Sequence, residues 1–126
     1  MQFITTDQAP LPAGHYSQAV VHNGVVYVAG QLAITPGQTS HTVGPIGEQT
    51  ERALRNVQAI LQAAGSDLDR VLQMTIYVSD IDLWGEVNVA YIRVMGEHKP
   101  ARAVVPVKDL HYGYQIEIQA IAAVGR

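Results

Sequence analysis

The sequence predicts an α/β protein of the α+β type, a two-layer sandwich with two helices on one face of a mixed sheet of about six strands. Three observations predict it. An Asn23-Gly24 pair sits between two β-branched runs. Two stretches carry apolar residues at helical spacing, and stretches of period two lie between and around them. The chain has 126 residues, 48% hydrophobic and 15% charged, which suits one domain, 1–126, with a filled core.

The elements follow in order. Residues 2–5 read as an edge strand. Residues 19–22 and 25–29 are β-rich and flank Asn23-Gly24, the strongest short hairpin signal. Residues 35–47 are rich in Gly, Pro, Thr and Ser and read as a long loop. A helix is expected over 47–64, because Ala53, Leu54, Val57, Ile60, Leu61 and Ala64 fall at i, i+3, i+4 spacing. Gly65 supplies its stop. Glu48 and Glu51 occupy its first turns, where the helix dipole favours negative charge. Residues 71–79 alternate Met74, Ile76 and Val78 against Gln73, Thr75 and Tyr77, a strand pattern. Asp80 or Asp82 can cap a second helix over 83–97. Its apolar stripe is Trp84, Val87, Tyr91, Val94 and Met95, and Asn88 lies on the same stripe. Pro100 interrupts. Residues 102–107 and 115–124 then read as strands, joined by a loop holding Asp109, His111, Tyr112 and Gly113. Two helices cover one sheet face only. Another copy of the chain is the simplest cover for the other.

Composition narrows the function. The net charge is −3 and the eight Lys and Arg residues are scattered, which argues against a nucleic-acid surface. There are no cysteines, so thiol nucleophiles and Cys-based zinc sites are excluded. The five histidines show no metal-ligand spacing and read as solvated surface groups. Phosphate-binding glycine motifs are missing. No apolar run suggests a membrane span and the first residues do not read as a signal peptide, so a cytoplasmic protein is expected.

Two residues stand out. The strand over 115–124 is apolar on both faces except at Glu117 and Gln119. A carboxylate inside such a strand is costly unless paired. Arg102, on what is expected to be a neighbouring strand, is the nearest cation in sequence order. One reading is a structural Arg102–Glu117 salt bridge at a subunit contact. The other is a site for a small anion, with the Arg fork holding a carboxylate and the Glu moving protons. Asn88 is an amide on an apolar stripe and needs partners, either backbone or ligand. Tyr16 lies in a loop, where its phenol can reach solvent or a pocket.

These residues also carry a resemblance. Gly14-His15-Tyr16-Ser17-Gln18-Ala19 resembles the Gly-Pro-Tyr-Ser-Gln-Ala segment of the RidA/YjgF family, also called the endoribonuclease L-PSP superfamily. Val28-Ala29-Gly30-Gln31 is similar to its Ser-Gly-Gln strand end, and residues 58–65 to its helix end. Val87-Asn88 with Tyr91, Pro100-Ala101-Arg102 and Ile116-Glu117-Ile118 resemble its remaining motifs, in the same order. The resemblance implies a chorismate-mutase-like fold and a homotrimer whose three sheets form a central barrel, with ligands in clefts between subunits. It implies hydrolysis of 2-aminoacrylate and 2-iminobutanoate to keto acids without metal or cofactor. Arg102 would grip the substrate carboxylate, Glu117 would activate water and move protons, and Tyr16, Gly30 and Asn88 would line the site. Val104, where deaminase members often carry Cys or Ser, would form a pocket wall. A non-catalytic binder of small carboxylates, or a regulatory protein, is the alternative.

Overall fold

The computed structural model describes residues 1–125. The strands are β1 (Gln2–Ile4), β2 (Ala19–His22), β3 (Val25–Leu32), β4 (Val71–Val78), β5 (Ala101–Pro106) and β6 (Ile116–Ala123). The helices are α1 (Ile46–Ala63) and α2 (Trp84–Met95). One sheet takes the order β1-β2-β3-β6-β4-β5. Among the described residues only β4 and β5 pair in parallel. Within one chain the sheet is open and does not close into a barrel.

Local chemistry fixes the connections. Asn23 and Gly24 both take positive φ, 52° and 76°, and His22 pairs with Val25 across them. This is the two-residue turn whose twist matches that of its strands. After α1, Gly65 adopts φ 81°. The Gly65 N–H then donates to Gln62 O at 3.1 Å and the Ser66 N–H to Leu61 O at 2.9 Å, which satisfies the last carbonyls of the helix. The side chain of Asp80 caps a short 3-10 turn, Ile81–Leu83, and α2 begins after it. Strand β3 runs three residues further than its β-branched run suggests.

Alternation divides the sheet. Val26 and Val28 of β3, Met74, Ile76 and Val78 of β4, and Ile116, Ile118, Ala120 and Ala122 of β6 are buried toward the helices. They meet Leu54, Val57, Ile60 and Leu61 of α1 and Val87, Tyr91 and Met95 of α2. The other face carries Tyr27, Gln73, Thr75, Tyr77, Gln119 and Ile121, with no element of the chain over it among the described residues. Tyr27 is 49% exposed there, and Phe3 on β1 is 65% exposed. Among the described residues no helix is long and apolar enough to cross a membrane.

One expectation is corrected. The strands bearing Arg102 and Glu117 are not neighbours, because β4 lies between them. Arg102 pairs with Met74, on the helix-covered face, whereas Glu117 pairs with Tyr77, on the open face. The cause is the α2 connection. A helical crossover lays β5 parallel beside β4, and β6 then fills the gap between β4 and β3.

Ile118 is fully buried on the central strand. Ile118→Ala is expected to cost about 3 kcal/mol, read as a lower urea midpoint at fixed protein concentration. An unchanged midpoint would show that this face does not form the core.

Candidate functional site

Glu117 reaches its position through a bulge. Between Val28 and Gln31 the register of β3 against β6 slips by one residue. Ala29 and Gly30 together oppose Gln119, so Gln31 turns inward and is buried. The Gln31 side-chain amide donates to Ala29 O and Gly30 O, at 3.2 and 3.4 Å. Carbonyls freed by the bulge are thereby satisfied.

The bulge lays the Glu117 side chain across the backbone of Gly30. A Cβ at Gly30 would overlap Glu117 Oε2 and stand 2.9 Å from the carboxyl carbon. Only glycine permits this approach. Glu117 has no hydrogen-bond or ion-pair partner among the described residues.

A cleft of about 380 Å³ opens over this carboxylate. Tyr16, Gly30, Leu32 and Glu117 line it, together with His111 and Tyr112. One rim is the loop before β2, held by Gln18. The Gln18 amide is 1% exposed and donates to Thr6 O at 3.0 Å and Pro10 O at 2.9 Å, and its oxygen accepts from the Thr6 N–H at 2.7 Å. The opposite rim is the turn His111–Gly113, where Tyr112 takes φ 62°. The Tyr112 ring stacks on His41, centroids 4.0 Å apart and planes 10° apart. His41 Nδ1 also lies 3.1 Å from the Tyr114 hydroxyl. The long loop is thus tied to the cleft wall.

Arg102 lies elsewhere. Its guanidinium donates from Nη1 to Asn88 Oδ1 at 3.1 Å. Its central carbon sits 4.8 Å from the centre of the Trp84 ring and 4.7 Å from that of Tyr91. Burial pushes the Tyr91 phenol pKa up, and the nearby charge and hydrogen bonding of Arg102 counter this. Val104, two residues along the same face, packs against the core.

The six residues singled out by sequence therefore form two groups. Tyr16, Gly30 and Glu117 share the cleft. Arg102, Asn88 and Val104 belong to the outer edge beside α2. The His111 and Tyr112 wall and the contact of Trp84 and Tyr91 with Arg102 were not anticipated. The histidines are also not uniformly solvated, since His41 is stacked and His98 Nε2 lies 2.7 Å from Val71 O. Trp84, Asn88 and Tyr91 did carry a signal in their i, i+4, i+7 spacing, which places them on one helix face.

This is an α+β sandwich with an acidic cleft on its uncovered face and a cation held at its edge. The model of the family Endoribonuclease L-PSP matches residues 6–124. A RutC family protein of Pyrococcus abyssi is 40% identical, over 96% of this chain and 95% of that one. A rat protein named 2-iminobutanoate/2-iminopropanoate deaminase is 39% identical, over 97% of this chain and 89% of that one. Among solved structures, RidA of an Antarctic Psychrobacter superposes with a TM-score of 0.93 at 35% identity, covering 98% of this chain and all 100% of that one. Escherichia coli TdcF with bound serine gives 0.92 at 31% identity, covering 99% and 100%. The chain belongs to the RidA/YjgF family.

Gly30→Ala is expected to force the Glu117 carboxylate into another rotamer and to cost at most about 1 kcal/mol. A crystal structure and a thermal melt of the variant read both effects. An unmoved Glu117 in a fully stable variant would contradict the packing described.

Proposed function

We propose that this chain hydrolyses reactive 2-enamine and 2-imine acids, such as 2-aminoacrylate and 2-iminobutanoate, to 2-keto acids and ammonia. The relatives that bear the name of an imine deaminase support the reaction class. The observation that carries the reading is the divided site. Glu117 stands in a cleft on the open face without a partner among the described residues, and Arg102 is held at a sheet edge on the opposite face. Each is half of a carboxylate-binding, proton-moving pair. A homotrimer unites the halves when the β5 edge of one copy packs over the open face of the next.

The chemistry needs few groups. The enamine tautomerises to the imine. The fork of Arg102 holds the substrate carboxylate and so fixes the imine carbon over Glu117 of the neighbouring copy. Water adds to that carbon while Glu117 takes its proton. That proton passes to the nitrogen to give a carbinolamine, and the hydroxyl proton then moves through Glu117 to the amino group as the C–N bond breaks, so that ammonia leaves and the carbonyl forms. Tyr16 and Gly30 line the floor, Asn88 steadies Arg102, and Val104 supports the strand beneath it. The net charge of −3 gives RNA no support as a substrate.

Added to a threonine or serine dehydratase reaction, the protein is expected to speed keto-acid release. Arg102→Ala and Glu117→Gln should each reduce that acceleration by about 100-fold or more. Equal rates for wild type and Arg102→Ala would end the deaminase reading. A thermal shift by keto acids that Arg102→Ala abolishes, without turnover, would favour the carboxylate-binding alternative, for which the apolar Val104 speaks. Light scattering at micromolar concentration is expected to give a trimer mass, and a monomer would refute the shared site.

A further inference from the structure

We infer that Trp84 and Tyr91 are positioning residues that hold the Arg102 guanidinium as a flat, pre-oriented fork. The inference rests on the deaminase reading above and deepens it, since it explains how an exposed arginine becomes a carboxylate anchor. Arg102 lies on an edge strand and is itself exposed. A free arginine there samples many rotamers, and ordering it on binding weakens affinity.

The helix removes that freedom. Trp84, Asn88 and Tyr91 stand at i, i+4 and i+7 on α2. At about 1.5 Å per residue the two aromatic positions are roughly 10 Å apart along the axis, about the depth needed to flank a planar cation. The guanidinium carbon sits 4.8 Å from one ring centre and 4.7 Å from the other. Both lie within cation–π range. The rings restrain the plane, and the Asn88 oxygen fixes rotation within it by accepting from Nη1 at 3.1 Å. The Nε and Nη2 edge then remains for a carboxylate, which that geometry matches bidentately.

The Tyr91 hydroxyl bears on the same point. It is buried without a well-aligned hydrogen bond. A buried hydroxyl in that state is destabilising by itself. The Tyr91 ring is nevertheless packed 4.7 Å from the Arg102 guanidinium carbon, which fits a residue placed to hold the cation.

The test uses the full-length protein and two readouts. In the wild type the Arg102 Nε–H proton should give a sharp NMR resonance, shifted upfield by the two rings. Trp84→Leu should broaden it and return it toward the position of a free arginine, and Trp84→Phe should restore most of the shift. In the dehydratase-coupled assay Trp84→Leu should raise KM about fivefold while kcat stays within about twofold, and Trp84→Phe should rescue KM. In an Arg102→Ala background the same substitution should leave KM unchanged, because a positioning residue has nothing left to position. A mobile Arg102 in the wild type, or an equal KM effect of Trp84→Leu with and without Arg102, would overturn the inference. A wild type without turnover would instead sink the deaminase reading, and the NMR comparison would still decide whether the rings hold the fork.

Discussion

Strand β6 lies between β3 and β4 and meets two environments at once. Ile116, Ile118, Ala120 and Ala122 are buried against the helices, and Glu117, Gln119 and Ile121 point to the other side. Strand alternation permits no compromise, since a slip of one residue would drive Glu117 into the apolar core. The pairing of β6 with both neighbours therefore fixes where the carboxylate stands. The rest of the cleft is arranged around that point.

The bulge in β3 is the second device. Without it, Gly30 would face the helices and Gln31 the open side. With it, Gly30 becomes a bare patch of backbone under the Glu117 side chain, and Gln31 satisfies the carbonyls that the bulge releases. Glycine is required here by close approach and not by a left-handed φ. Gln18 has a comparable role at the rim. A fully buried amide with several partners makes a loop behave like regular structure, which lets an irregular segment carry Tyr16.

The face left open is as informative as the face that is filled. Phe3 and Tyr27 leave aromatic surface exposed on that side. Arg102 is held at the far edge by Asn88, Trp84 and Tyr91. The core and the cleft thus draw on one asymmetry, a sheet covered by helices on one side.

Much of this was legible in the sequence because local rules govern it. Asn23-Gly24 set the hairpin, Gly65 ended α1, and the alternation of Met74, Ile76 and Val78 marked β4. The buried faces of both helices followed from their spacing, and the cost of a carboxylate in an apolar strand singled out Glu117. Strand order was not legible, because pairing depends on chain crossovers many residues long, and it alone separates Arg102 from Glu117. The inward turn of Gln31, the stack of His41 on Tyr112 and the rings beside Arg102 were hidden for the same reason. Sequence periodicity reports which face a residue occupies on its own element. Only the tertiary structure decides what stands opposite that face, because contacts across the sheet and between layers join residues that no local pattern relates.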